Sequence, residues 1–105
     1  MNPYLSVIIP AYNEGERIIK TLQQVSVYLQ KQNYSYEILV VSDGSKDNTA
    51  KIISNLKSQI SNLKLIDRKE NMGKGYTVKE GMLAAKGQIR LFTDADNSTD
   101  ISYFE

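Results

Sequence analysis

The chain contains no cysteine, which excludes disulfides and thiolate-held metals. It contains no histidine either. A Ser-His-Asp nucleophile and a His-ligated zinc therefore cannot be assembled from its residues. Any metal it holds must sit on oxygen, which favours Mg²⁺, Mn²⁺ or Ca²⁺. No stretch approaches the ~18–20 apolar residues that a membrane span needs. The opening Met-Asn-Pro-Tyr-Leu lacks the charged region and apolar run of a signal peptide. These absences lead us to expect a soluble, cytoplasmic chain. Membrane association, at the cytoplasmic face, would be carried by regions outside these residues. An excess of one charge is missing as well: 13 basic and 12 acidic residues leave a net +1. That balance argues against a surface that binds nucleic acid through bulk charge.

What is present is ordinary globular material. The 105 residues are 41% hydrophobic, enough for one domain with a modest core. Leu5 to Pro10 is a short β-branched run that suits a buried strand. Ile18, Leu22, Val25 and Leu29 then recur at helical spacing. Glu37 to Ser42 is a second buried strand. Asp47 or Asn48 is placed to cap a second helix, with Ile52, Ile53, Leu56 and Ile60 on one face. Leu63 to Ile66 predicts a third strand, and Arg68 to Gly75 a polar, Gly-containing loop. Val78, Met82 and Ala85 mark a third helix, with Gly87 in the position of its C-terminal cap. Gln88 to Thr93 is a fourth strand, and Asp100 is placed to cap a further helix that the chain enters for about one turn, to Glu105. The pattern β-α-β-α-β-α-β implies an α/β fold: three layers, with a mostly parallel sheet between helices.

The unusual residues fall at equivalent places, just after each strand. Tyr12-Asn13-Glu14 follow the first, Asp43-Gly44-Ser45 the second, Asn71 to Gly75 the third, and Asp94-Ala95-Asp96 the fourth. Open α/β sheets bind ligands outside the carboxyl ends of their strands. Four parallel strands ~4.8 Å apart span roughly 15 Å, about the length of a nucleoside diphosphate with a sugar. Asp94 and Asp96, two residues apart in an extended segment, face the same side and repel unless a cation or proton lies between them. A divalent ion with a diphosphate resolves that repulsion, and a local Asx turn at Asp96 is the plain alternative. Asp43-Gly44 reads either as a tight turn or as a carboxylate accepting from a base N–H, with Gly44 admitting close backbone approach. Asn71 to Gly75 is either a flexible loop or a place where Lys74 meets phosphate. Tyr12 either packs the first turn or stacks on a base. Tyr28, Tyr34, Tyr36 and Tyr103 are expected to be packing or surface residues. A nicotinamide-binding Rossmann domain is excluded by Pro-Ala-Tyr-Asn-Glu standing where Gly-x-Gly-x-x-Gly is needed. An aspartyl phosphatase is disfavoured because its nucleophile ends the first strand of the core, whereas Asp94 ends the fourth.

Taken together, Leu-Ser-Val-Ile-Ile-Pro-Ala-Tyr-Asn-Glu, Glu-Ile-Leu-Val-Val-Ser-Asp-Gly-Ser-Lys-Asp-Asn-Thr, Asn-Met-Gly-Lys-Gly and Leu-Phe-Thr-Asp-Ala-Asp resemble the family 2 glycosyltransferases of GT-A fold. Gly73 to Asp96 is most similar to the polyprenyl- or dolichyl-phosphate glucosyltransferase branch. The resemblance covers about residues 5–104. It implies that Pro10, Ala11, Tyr12 and Glu14 surround the base and ribose, and that Asp43 bonds the base. It places Gly73 and Lys74 by the diphosphate and Asp94 and Ala95 against the ribose or sugar, and it makes Asp96 the ligand of Mg²⁺ or Mn²⁺. It implies a UDP-sugar donor, glucose above all, and a polyprenyl phosphate, dolichyl phosphate or glycan acceptor. Two other functions fit the same motifs: a non-catalytic nucleotide-binding module, and a GDP-mannose-dependent polyprenyl-phosphate mannosyltransferase. Two departures stand out. Ser42 occupies a position where the family usually has a second aspartate. The family's catalytic base lies well beyond its Asp-x-Asp motif, and here it is expected beyond Glu105. No residue of 1–105 is therefore assigned to that role, the acids Asp100 and Glu105 included. The expectation is that residues 1–105 form the N-terminal, donor-binding part of a longer domain whose acceptor half lies elsewhere. Ile101, Tyr103 and Phe104 would then be exposed to self-association.

Overall fold

The continuous apolar run at the start of the chain forms β1 (Leu5–Ala11), and all seven of its residues are buried. A strand covered by helices on both faces has no polar side to show, so its sequence does not alternate. The second run forms β2 (Tyr36–Asp43), buried from Glu37 onward. The computed structural model describes residues 2–13, 15–46 and 48–93, apart from the side chain of residue 16. The first two strands pair in parallel, from Leu5 opposite Tyr36 to Ala11 opposite Ser42. Outside them lie β3 (Leu63–Arg68), paired with β2, and β4 (Ile89–Phe92), paired with β1. The order is β3-β2-β1-β4, all parallel. The edge strands carry exposed Lys64, Asp67 and Arg90, which discourages pairing with another chain.

Alternation along the inner strands divides the core. Leu5, Val7, Ile9, Ile38 and Val40 face α1 (Gly15–Gln30) and α2 (Thr49–Leu56). The helical stripe read from sequence (Ile18, Leu22, Val25, Leu29) is wholly buried there. Tyr28, Tyr34 and Tyr36 pack at its margin, as expected of packing residues. Ile8, Leu39 and Val41 face α3 (Lys74–Ala84) through Met82 and Ala85. The α3 contact is tightest at Gly81, where a Cβ would stand 2.5 Å from Ile8 Cγ2. The expected three-layer α/β/α arrangement is thus what forms.

Three local expectations are corrected. Gly87 is not the cap of α3: the helix ends at Ala84, and Ala85 is already extended. Gly87 instead lies against β1, where a Cβ would meet Ser6 Oγ at 2.5 Å, and its N–H donates to that oxygen at 2.8 Å. Asn48 stands at the N-cap of α2 but makes no side-chain cap bond. The second strand also runs one residue further than expected, so that Asp43 belongs to it. The expectations placed on Asp47, on the helix from Asp100 to Glu105 and on the apolar patch at Ile101, Tyr103 and Phe104 lie outside the described residues. No helix among the described residues is long and apolar enough to cross a membrane.

The connections place the site. From β1 through β2 to β3 the chain steps one way, laying α1 and α2 on one face. It then returns across β2 and β1 on the other face, through α3, to reach β4. The direction of winding therefore reverses between β1 and β4, and the carboxyl ends at such a reversal are where open α/β sheets bind ligands.

Candidate functional site

The turns after β1 and β2 are clasped together. Asn13 adopts φ 50°, a left-handed conformation that asparagine tolerates better than most residues. Its N–H donates to Ser45 Oγ at 3.1 Å, and its Oδ1 accepts the Lys46 N–H at 2.8 Å. Ser45 Oγ also accepts the Ser42 hydroxyl at 2.9 Å. Ser42, where an aspartate is usual in the family, is thus buried and spent on holding this clasp. Pro10 and Ala11 are buried as the last residues of β1. Tyr12 directly after them is 40% exposed, so of these three only its side chain stands open to a ligand. Glu14, the fourth residue assigned to the base, lies outside the described residues.

Asp43 and Arg68 are opposite partners at the ends of β2 and β3. The Arg68 guanidinium donates to Asp43 Oδ1 at 2.5 Å. The same oxygen accepts the Met72 N–H at 2.8 Å, and Oδ2 accepts the Gly73 N–H at 3.0 Å. Burial pushes this carboxyl's pKa up. The Met72 N–H, the Arg68 guanidinium and the Thr77 hydroxyl outweigh that and hold it below the usual aspartate value. Asp43 was expected to serve the base; the structure shows it anchoring the loop after β3. A carboxylate has about four acceptor directions; Arg68 and the two amides take three and the Thr77 hydroxyl lies against it as well, so this carboxylate is nearly saturated from within. Gly44, expected to admit a ligand, admits the protein's own backbone instead. At φ 69° its Cβ would stand 2.5 Å from the Asn71 nitrogen, and its N–H donates to the Arg68 carbonyl at 3.0 Å.

Arg68 extends the network. It donates to the Thr77 hydroxyl, to the Glu80 carboxylate and, at 3.2 Å, to the Glu70 carbonyl. It also lies over the Tyr76 ring at 5.0 Å. The Thr77 hydroxyl in turn donates to the Gly73 carbonyl at 2.8 Å. Sequence reasoning left Arg68 in a polar loop and gave Thr77 and Glu80 no role. The available signal was the pairing of strand ends: once β2 and β3 are aligned, an acid and an arginine stand side by side.

Lys74 opens α3. Its Nζ lies 5.2 Å from the centre of the Phe92 ring, at the last residue of β4. This ammonium, carried on the first residue of α3, therefore reaches the end of the strand on the far side of β1. It stands at the point where winding reverses, and Phe92 is two residues ahead of Asp94. The Thr93 N–H donates to the Ile8 carbonyl at 3.0 Å, so the chain is still held beside β1 as it reaches the carboxyl end. Asp94, Ala95 and Asp96 follow directly and lie outside the described residues. Glu105, beyond which the catalytic base is expected, lies outside them as well. No group of three or more potential ligands gathers among the described residues. Asp96, which the resemblance makes the ligand of Mg²⁺ or Mn²⁺, is among the residues that are not described.

The profile of glycosyl transferase family 2 matches residues 6–105. A dolichyl-phosphate beta-glucosyltransferase of Trichomonas vaginalis is 43% identical over 106 residues, covering 96% of this chain and 32% of that protein. The chain spans about a third of the length of the curated relatives it matches. Among solved structures, Staphylococcus aureus TarS residues 1–349 in complex with UDP-GlcNAc superposes with a TM-score of 0.75 at 31% identity, over 89% of this chain and 26% of that one. The Pyrobaculum calidifontis mannosyltransferase, in complex with GDP-Man and Mn²⁺, gives 0.73 at 28% identity, over 91% and 28%. With four strand-end motifs in order, a matching sheet topology and relatives of this identity, the chain belongs to glycosyl transferase family 2 and carries its GT-A fold.

Proposed function

We propose that the chain is the donor-binding part of an inverting glycosyltransferase that moves glucose from UDP-glucose to a dolichyl or polyprenyl phosphate at the cytoplasmic face of a membrane. The relatives named dolichyl-phosphate beta-glucosyltransferase, 34–43% identical, support this donor and acceptor. The observation that carries the reading is the placement of Lys74 beside Phe92 at the β1/β4 reversal. A cation beside the end of β4 supports a diphosphate at that end of the sheet. Tyr12 stacks on the base, with Pro10, Ala11 and Glu14 around it. Asp43 lies on the base side, at the end of β2. Lys74 and the Gly73 backbone lie along the diphosphate. Asp94 and Ala95 line the ribose and sugar, and Asp96 holds the divalent metal. The metal supplies Lewis-acid stabilisation of charge on the departing nucleoside diphosphate. We assign no residue of 1–105 as the general base or to an acceptor pocket. A positioned base contributes ~10²–10⁴-fold, so residues 1–105 bind donor without transferring sugar at a useful rate.

Calorimetric titration of UDP and GDP, each with Mn²⁺ and with EDTA, tests the proposal. UDP is expected to bind more tightly than GDP and to weaken in EDTA, because diphosphate and carboxylates otherwise meet as like charges. Asp96→Asn should remove most of that metal dependence. Equal affinity in EDTA and Mn²⁺ refutes the metal assignment. GDP binding tighter by tenfold, about 1.4 kcal/mol, would favour a mannosyltransferase, the second reading that the GDP-Man complex of the Pyrobaculum enzyme supports.

A further inference from the structure

We infer that Arg68 is a positioning residue of the donor site: by clamping Asp43, it fixes the backbone of residues 71–73 and so aims Lys74 at the diphosphate. The inference rests on the donor reading above and deepens it. Gly73 sits at φ 92° and ψ 158°, and a Cβ there would meet nothing within 4 Å. Packing therefore does not restrain this residue, and glycine is the residue with most freedom to lose. Hydrogen bonds restrain it instead, at both its polar groups. Its N–H is held by Asp43 Oδ2, and its carbonyl by the Thr77 hydroxyl besides the Thr77 N–H that opens α3. Both anchors are themselves held by the one Arg68 guanidinium. The Arg68 side chain is 14% exposed, and its guanidinium bridges the ends of β2 and β3, the loop and α3. Its planar fork serves Asp43, Thr77, Glu80 and the Glu70 carbonyl together. A lysine ammonium keeps the charge but not the fork. Lys74 is the next residue after Gly73, so its direction toward Phe92 depends on this restraint. Without the clamp, ordering the loop would be charged against diphosphate binding.

The test titrates uridine and UDP, both with Mn²⁺, into the wild-type chain, Arg68→Lys, Lys74→Ala and the double variant. Hydrogen exchange at the Met72 and Gly73 amides is followed in parallel. Because Arg68→Lys preserves charge, a loss there is geometric rather than electrostatic. UDP affinity is expected to fall about tenfold in Arg68→Lys and uridine affinity by clearly less, because uridine senses the loosened Asp43 but not the displaced Lys74. The Arg68→Lys loss should largely vanish in the Lys74→Ala background, because the clamp acts through Lys74. The Met72 and Gly73 amides should exchange faster in Arg68→Lys while the core amides of β1 do not. Equal losses for uridine and UDP, additive losses in the double variant, or unchanged exchange at residues 72 and 73 would each overturn the inference. No UDP binding by the wild type overturns the donor reading; faster exchange in Arg68→Lys would then show a clamp that serves only the fold.

Discussion

Glu37 is a buried carboxylate at the amino end of β2, far from the carboxyl ends of the strands, and replacing it tests whether the fold uses its charge. Its Oε2 accepts the Ser6 hydroxyl at 2.5 Å and the Lys86 N–H at 2.7 Å, while Oε1 accepts Lys64 Nζ at 3.0 Å. Ser6 Oγ also accepts the Gly87 N–H, so this one side chain pins the α3–β4 connection to β1 and β2. Glu37→Gln keeps the shape, with its carbonyl turned to Ser6 and Lys86 and its amide toward Lys64. Lys64 is 54% exposed and can swing into water, so that ion pair contributes little, at most ~1 kcal/mol. Each of the two inner bonds falls from charge-assisted to neutral, a loss of about 1 kcal/mol apiece. The amide also avoids the cost of burying a charge, which offsets part of that. The expected net loss is about 1 kcal/mol. Glu37→Ala leaves the Lys86 N–H and the Ser6 hydroxyl without this acceptor and should lose about 3 kcal/mol. Burial raises the Glu37 pKa, but the Lys86 N–H, the Ser6 hydroxyl and Lys64 outweigh it and set it below the usual glutamate value. A depressed carboxyl stabilises the fold fully above its unfolded pKa of about 4.3, and that contribution is lost as pH falls through the lower folded value. Urea denaturation of the wild type and Glu37→Gln at pH 7 and pH 3 measures this. The difference should be present at pH 7 and shrink at pH 3. A difference that is constant with pH, or a Gln variant more stable at pH 7, would refute the role given to the charge.

Two further substitutions probe close approach of backbone. Gly81→Ala should destabilise by up to roughly 2 kcal/mol in urea: ~1 kcal/mol of helix propensity is gained, but overpacking against the methyl of Ile8 costs about 1–3. A stabilised variant would show that α3 can lift from the sheet without penalty. Gly44→Ala places a side chain at φ 69° and 2.5 Å from the Asn71 nitrogen, so a loss above ~2 kcal/mol is expected, with weaker UDP binding as the loop shifts. Wild-type melting and wild-type UDP affinity in this variant would contradict the contact.

The buried strands and the face of α1 were legible in the sequence because continuous apolar runs and a period of 3.6 each have one economical burial. The alternation of strands and helices implied the parallel sheet, and the polar clusters after each strand pointed to its carboxyl end as the site. Family membership was legible for a related reason, since four short motifs in a fixed order specify more than any one of them. Partnerships between residues far apart in the chain were not legible. Asp43 reads in sequence as a free acid in an Asp-Gly turn; only the register of β2 against β3 puts Arg68 beside it and the Met72 and Gly73 amides on its oxygens. Gly87 has the spacing of a helix cap, and only the packing of the α3–β4 connection against Ser6 gives it another reason to be glycine. Ser42 looks like a lost acid until the turn at Asn13 is seen to be held through Ser45. Local periodicity is a property of neighbouring residues and survives in one dimension. Hydrogen-bond partnership across tens of residues exists only once the strands are aligned, and it is this alignment that decides which charges meet and which loops are fixed.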